Sequence, residues 1–293
     1  MRIAFLLARH PPDRKSPILP EVYDRLRARG HQVELIYPEE GMVDLAELNV
    51  EHDLYVLKFR SEIALSLAGA LHARGAALLN PFPAAAALRD KVVATRLLQA
   101  AGVPVPETFV AAAPQQLLPA LAGGPLVLKP YRGSQGRGVR VVRVPEELVG
   151  HPGDGSLAFA QRFRRGDGHD RKIYCIGGRL FGVKRVWPPR TYEDKIGQPF
   201  ALTPELEEIA RRCGEALGVD LFGVDIVLSD GAPWVVDMSG FPGFKGVPDA
   251  ALHLAEAIHA AAMSAGGRET RRPRPAPGAA TPDRGWAATA VSI

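Results

Sequence analysis

The sequence predicts an α/β protein built from several lobes, and three observations carry that reading. Short apolar runs alternate with amphipathic stretches through residues 1–84, the pattern of parallel strands joined by helical crossovers. Further along, apolar strands flank a glycine-rich loop at 133–138, and two later strands each carry one acid in an apolar run. Finally, hydrophobic residues make up 46% of a 293-residue chain, enough apolar surface for two or three cores rather than one.

The first lobe, 1–84, reads as strands at 2–8, 32–36, 53–58 and 76–79 with helices at 20–30 and 62–74. Strands that alternate with helices pair in parallel, so this is a Rossmann-like open sheet. No G-x-G-x-x-G follows its first strand, which argues against a dinucleotide site. A single helix is predicted over 83–102, with Leu88, Val92, Thr95 and Leu98 at helical spacing, stopped by Gly102, Pro104 and Pro106. Strands at 107–110, 125–129 and 139–142 and a helix at 114–121 complete a central lobe, 85–160. The third lobe, 161–265, offers strands at 157–163 (starting just before the boundary), 171–176, 179–186, 222–228 and 233–237, with helices at 203–217 and 248–264. Residues 266–293 are rich in Pro, Gly, Arg and Ala without apolar periodicity and read as a disordered tail.

Composition excludes several classes. A net charge of +4 with no long Lys/Arg run in the body argues against nucleic acid and suits a small anionic substrate. The apolar run Ile3-Ala4-Phe5-Leu6-Leu7-Ala8 is short and stops at His10-Pro11-Pro12, so it reads as a buried strand rather than a signal peptide or membrane span. Cys175 and Cys213 stand alone, outside any metal or disulfide spacing, so a cytoplasmic location is expected.

Candidate chemistry begins at Leu126-Val127-Leu128-Lys129-Pro130, followed by Gly133, Gly136 and Gly138. Glycines leave backbone N–H groups free to approach phosphate oxygens, although a plain hairpin would also use them. Lys129 adds weight, because an ammonium at the end of an apolar strand needs an anion. Lys91, after Arg89-Asp90, reads by itself as a solvated helix lysine. Asp225 lies within Phe222-Gly223-Val224-Asp225-Ile226-Val227 and Asp237 within Trp234-Val235-Val236-Asp237-Met238-Ser239, joined by the turn Ser229-Asp230-Gly231. Two acids on adjoining apolar strands supply the hard oxygens that magnesium prefers; the alternative is a pair of strand-end caps. The stretch 240–246 reads as a further phosphate- or substrate-facing turn.

Taken together, these motifs resemble the ATP-grasp superfamily over about residues 50–262. They run in order: Asn80-Pro81, Arg89-Asp90-Lys91, Gly102-Val103-Pro104-Val105-Pro106-Glu107-Thr108, the Lys129 loop, Gln161-Arg162-Phe163, Asp170-Arg171-Lys172, Lys184-Arg185, Gly223-Val224-Asp225 and Asp237-Met238-Ser239. The loop Gly133-Ser134-Gln135-Gly136 with Gly138-Val139, and Leu202-Thr203-Pro204-Glu205, are most similar to RimK-type glutamate ligases. The resemblance implies a two-lobed ATP-grasp fold behind the first lobe. It implies that Lys91 and Lys129 contact ATP phosphates while Gly133, Ser134, Gln135, Gly136 and Gly138 close over them. The backbone near Gln161, Arg162 and Phe163 would pair with the adenine edge, with Asp170 near the ribose. Asp225, Asp237 and Ser239 would hold Mg2+, two ions in all, with Mn2+ able to replace it; Arg185 and Lys172 would be the catalytic cations.

Three departures stand out. Asp237-Met238-Ser239 replaces the family's Glu-x-Asn, Arg162 stands where ligases carry Glu, and Val186-Trp187-Pro188-Pro189-Arg190-Thr191 lacks the usual Asn and paired Gly. The function implied is a carboxylate–amine ligase working through an acyl phosphate on a small molecule or peptide with anionic groups, with no nucleic acid or membrane partner and homo-oligomers compatible. The segment 236–247 also resembles the inositol polyphosphate kinases, which makes small-molecule phosphorylation the alternative; Lys58, Arg60, Lys172, Lys184, Arg185, Arg190, Lys195 and Lys245 could then hold phosphates.

Overall fold

A computed structural model describes residues 1–8, 18–59, 61–133, 138–149, 157–188 and 190–269. The N-terminal lobe contains β1 (Arg2–Leu7), α1 (Leu19–Ala28), β2 (Gln32–Ile36), β3 (Leu54–Lys58), α2 (Glu62–Ala73) and β4 (Leu78–Leu79). Its sheet has the order β2-β1-β3-β4, parallel throughout. β1 is apolar at consecutive positions because both of its faces are covered: Ile3, Phe5 and Leu7 enter one core and Ala4 and Leu6 another. The parallel lobe expected from the alternation is thus present, with β4 shorter than expected.

The helix predicted over 83–102 is two helices, α3 (Phe82–Arg89) and α4 (Lys91–Ala100). Asp90 makes the break: it is extended, and its carboxylate accepts from the N–H groups of Val92 and Val93 at 2.9 and 3.2 Å. An aspartate at this position satisfies orphan donors and starts a new helix, so Lys91 stands at the first position of α4.

The central lobe holds β5 (Thr108–Ala111), α5 (Leu118–Ala122), β6 (Leu126–Lys129), β7 (Arg140–Val142) and β8 (Ala158–Arg162), an antiparallel sheet of order β5-β8-β6-β7. Leu126, Leu128, Ala158 and Ala160 pack beneath it with Leu117 and Leu121.

The C-terminal lobe is built on β9 (His169–Ile176), β10 (Arg179–Val186), α6 (Tyr192–Ile196), β11 (Gln198–Phe200), α7 (Pro204–Leu217), β12 (Leu221–Ser229), β13 (Ala232–Ser239) and α8 (Ala250–Glu269). Its five strands run antiparallel in the order β11-β10-β9-β12-β13. α6 and β11 were not expected; α6 is started by Thr191, whose hydroxyl accepts from the Asp194 N–H at 3.1 Å, and both are too short to show periodicity. α8 runs to Glu269, past its expected end at 264 and into the expected tail; residues 270–293 lie outside the described residues.

One face of this sheet is apolar: Ile173, Cys175, Phe222, Val224, Ile226 and Met238 pack on Leu206, Ile209 and Cys213 of α7. On the other face Tyr174, Val183 and Leu221 join Phe244, Val247 and α8 in the same core as β1 and α1. α8 therefore ties the C-terminal sheet to the N-terminal lobe. Among the described residues no helix is long and apolar enough to cross a membrane.

Candidate active site

Register alone gathers the charged residues. Directly opposed residues of antiparallel strands project on the same side, and the pairs here are Asp170 with Arg185, Lys172 with Val183, Lys172 with Asp225, and Asp225 with Asp237. Asp170, Lys172, Arg185, Asp225 and Asp237 thus share one sheet face, away from α7. Ser239 joins them opposite Gly223, where a Cβ would lie 3.0 Å from Pro242 Cγ and 3.2 Å from Tyr174 Cδ1.

Beyond Asp225 the ladder slips, because Asp225 pairs with Asp237 but Ile226 pairs with Val235. Val236 is the extra residue of a β-bulge, and such a residue leaves the ladder. Its carbonyl instead accepts from Lys129 Nζ at 2.8 Å, while Gln161 Oε1 accepts from the same ammonium at 2.7 Å. The bulge therefore latches the end of β6 onto the C-terminal sheet.

Three ion pairs fill the face: Lys91 with Asp237, Lys172 with Asp225, and Arg185 with Asp170. The two lysine side chains are each 15% exposed, whereas those of Asp225 and Asp237 are 25% and 40% exposed, so the acids turn the more open edge to the cleft. Burial lowers the Lys129 pKa from its ordinary 10.5 to about 8, with Asp237 opposing and Lys91 adding to the shift. Burial also raises Asp225 above the ordinary carboxylate range despite Lys172. Asp237 is pushed up by burial but held below that range by Lys91 and Lys129. Burial works against charge on Lys172, yet Asp225 keeps its pKa raised.

The donor chemistry fits magnesium in company with a nucleotide. Asp225 and Asp237 are adjacent carboxylates and Ser239 lies on the same face, all oxygen donors. Among the described residues no group of three or more His, Cys, Asp or Glu could hold an ion, so phosphate oxygens would complete the shell.

The other expected nucleotide contacts divide. Gln161 is 4% exposed and is placed among these groups, its amide shared between Lys129 and the Thr108 hydroxyl at 3.3 Å. The Arg162 side chain is turned elsewhere: its guanidinium donates to Glu107 (3.1 Å), to the Ala120 carbonyl (3.0 Å) and to the Gly124 carbonyl. Only its backbone remains available to an adenine, and the N–H groups of Arg162 and Phe163 already donate to the carbonyls of Glu107 and Pro125. Asp170 is 7% exposed and committed to Arg185, which sets it against a sugar contact. Gly133 returns its N–H to the Pro130 carbonyl at 3.0 Å, and Gly138 has φ +71°. Ser134, Gln135 and Gly136 lie outside the described residues, as do His10 and Arg60. The loop's base is fixed, because the Lys91 N–H donates to the Tyr131 carbonyl at 3.1 Å.

Sequence reasoning gave Asn80 and Lys58 no such role. Asn80, 3% exposed, donates through Nδ2 to the carbonyls of Leu221 and Gly240, each at 2.7 Å. Lys58 Nζ donates to the carbonyls of Phe241 (3.3 Å) and Pro242 (3.1 Å) and stands 4.5 Å from the Phe241 ring centroid. Both brace the 240–247 loop, and Lys58 is engaged there with two backbone carbonyls. Phe244 in that loop has φ +49° while buried at 1%, a conformation that costs about 1–3 kcal/mol for a non-glycine residue. Gly246 approaches the Ile196 carbonyl so closely that a Cβ would lie 2.6 Å from it. That contact sets Lys245 beside Lys195 and Arg185, and burial followed by those two cations lowers the Lys245 pKa.

A family model described as the RimK-like ATP-grasp domain matches residues 88–261, more than half of the chain. A probable alpha-L-glutamate ligase of Parasynechococcus marenigrum (strain WH8102) is 24% identical over 265 residues, 79% of this chain and 57% of that protein. The chain thus spans little more than half the length of that relative. Among solved structures, a RimK domain ATP-grasp protein from Sphaerobacter thermophilus DSM 20745 superposes with TM-score 0.69 at 24% identity, over 90% of this chain and all of the other. The ATP-grasp ligase PsnB, complexed with minimal precursor, Mg and ADP, gives 0.65 at 19% identity over 89% and 97%.

Proposed function

The chain belongs to the RimK-like ATP-grasp family, and from that premise we propose that it is a Mg-ATP-dependent carboxylate–amine ligase. The observation that carries this is the convergence of Lys91, Lys129, Lys172 and Arg185 on Asp225 and Asp237. With Asp170 paired to Arg185, four cations and three carboxylates suit a reaction in which negative charge moves among phosphoryl and carboxyl oxygens.

In this reading a substrate carboxylate oxygen attacks the γ-phosphorus, and the bond to the β–γ bridging oxygen breaks to release ADP. An amine nitrogen then attacks the acyl carbon; phosphate leaves with the former carboxylate oxygen, and the amine proton passes to solvent. Lys91 and Lys129 orient the phosphates, and Arg185, steadied by Asp170, faces the group in transfer. Lys172, on the same sheet face as Arg185, supplies a further positive charge toward the phosphates. Magnesium, as two ions or with Mn2+ in its place, would be held by Asp225, Asp237 and Ser239 and would neutralise phosphate charge.

Lys195 and Lys245 beside Arg185 support an anionic small molecule or peptide as substrate. Two of the proteins named above, the probable alpha-L-glutamate ligase and PsnB, are described as ligases, which does not favour the kinase suggested by 236–247. The test is a nucleotide and phosphate balance with Mg-ATP and pools of amino acids, peptides or inositol phosphates. Acceptor-dependent ADP with equal free phosphate is expected; ADP without free phosphate, matched by a phosphorylated acceptor, would establish a kinase.

A further inference from the structure

Both acids assigned to metal already carry a positive partner. Lys91, from the start of α4, bonds Asp237, and Lys172, from β9, bonds Asp225. Lys129 senses the charges of Asp237, Lys91 and Asp225 yet bonds neither acid, donating instead to Gln161 and the Val236 carbonyl. The two paired lysines therefore differ from the third in what they occupy, not merely in where they stand. Each is less exposed than its acid, so it approaches from the protein side and leaves the acid open toward the cleft.

We propose that Lys91 and Lys172 are place-holders for divalent ions on Asp237 and Asp225, so that metal loads onto these acids together with nucleotide and not before it. The proposal rests on the assignment of the two acids as metal ligands. An ammonium and a divalent ion at one carboxylate repel each other, and a protein-lined cleft screens that repulsion poorly. A lysine can leave its acid cheaply only when another anion receives it, because an unpaired buried charge is costly. Phosphate oxygens are that anion. Nucleotide draws the lysines off, the metal takes the acids, and by linkage each strengthens the binding of the other. The Asp237-Met238-Ser239 strand, with side chains shorter than Glu-x-Asn, makes the lysines stronger competitors, since it offers the metal less reach.

The probe is Mn2+, titrated into the full chain without nucleotide and followed by the electron paramagnetic resonance of the free ion, so no turnover is needed. Wild type is expected to bind weakly, with K91M and K172M each binding about tenfold more tightly, within the usual range for linked sites. K129M should change far less. Adding D237N to K91M should erase the gain. Wild-type binding as tight as either variant's, an equal gain in K129M, or a gain that survives loss of Asp237 would overturn the proposal. Should a methionine variant fail to fold, K91Q and K172Q keep a hydrogen-bond donor and carry the same expectation. Absence of any acceptor-dependent ADP alongside the expected Mn2+ pattern would sink the ligase reading alone.

Discussion

Asp225 and Asp237 stand directly opposite each other across β12 and β13, and each is held by a lysine from another part of the chain, Lys172 and Lys91. Like charges so placed would repel; the lysines and the Lys129 ammonium keep the pair together. Replacing Asp225 by Asn should remove one carboxylate from the site and lower acceptor-dependent ADP release roughly 10²–10³-fold, the size of effect seen when one preorganised electrostatic group is deleted from an active site. Lys129→Ala should do the same. Unchanged melting temperatures with wild-type turnover in either variant would refute the site.

Lys129 also sets a pH dependence. Its pKa is lowered to about 8 in the folded protein against 10.5 ordinarily, so the folded state holds fewer protons than the unfolded chain between those values. The resulting penalty is fully present below about pH 8 and is relieved as pH rises toward 10.5. Stability of wild type relative to K129M should therefore rise across that window in urea titrations. In the folded protein the charge on Lys129 is lost around pH 8, so kcat/KM for ATP should fall on an alkaline limb near that pH. K129R, which stays protonated, should lack that limb; a wild-type limb in K129R would exclude Lys129 as its source.

Arg162 gives a prediction of opposite kind. Its guanidinium braces Glu107, Ala120 and Gly124, so Arg162→Ala should destabilise the central lobe by about 1–3 kcal/mol through unpaired carbonyls. KM for ATP should stay near wild type at temperatures where the variant is folded. A large rise in KM with unchanged stability would instead put the side chain at the nucleotide.

Asn80 joins the N-terminal lobe to the loop over the site through the carbonyls of Leu221 and Gly240. Asn80→Ala leaves two carbonyls without that donor and should cost about 1–3 kcal/mol, read as a lower urea midpoint. Asn80→Asp, which supplies no amide donor, should be no better. A midpoint equal to wild type in Asn80→Ala would mean the two hydrogen bonds contribute nothing to lobe docking.

How much of this was legible in the sequence depends on how far apart the partners lie. The order of strands and helices followed from local periodicity, because burial of one face imposes a repeat of 2 or 3.6 residues on the chain. Asp225 and Asp237 were readable as a pair since a short turn joins their strands, and Lys129 stood out as a charge on an apolar strand. The Asp90 break was hidden in a helical pattern that continues on both sides; it came down to one cap. Similarly, α6 and β11 are too short to repeat anything.

The sequence by itself determined the α/β class, the order of most strands and helices and the pair of acids on adjoining strands, since each is dictated by residues close along the chain; it set the 157–163 strand in the third lobe, whereas β8 pairs in the central sheet. Tertiary structure alone decided the pairing of Lys91 with Asp237, the Val236 bulge that receives Lys129, the diversion of Arg162 into the central lobe, and the bracing of the 240–247 loop by Asn80 and Lys58. Those contacts join strands, helices and loops remote in sequence. A charged side chain can reach several partners from one backbone position, and only packing selects which.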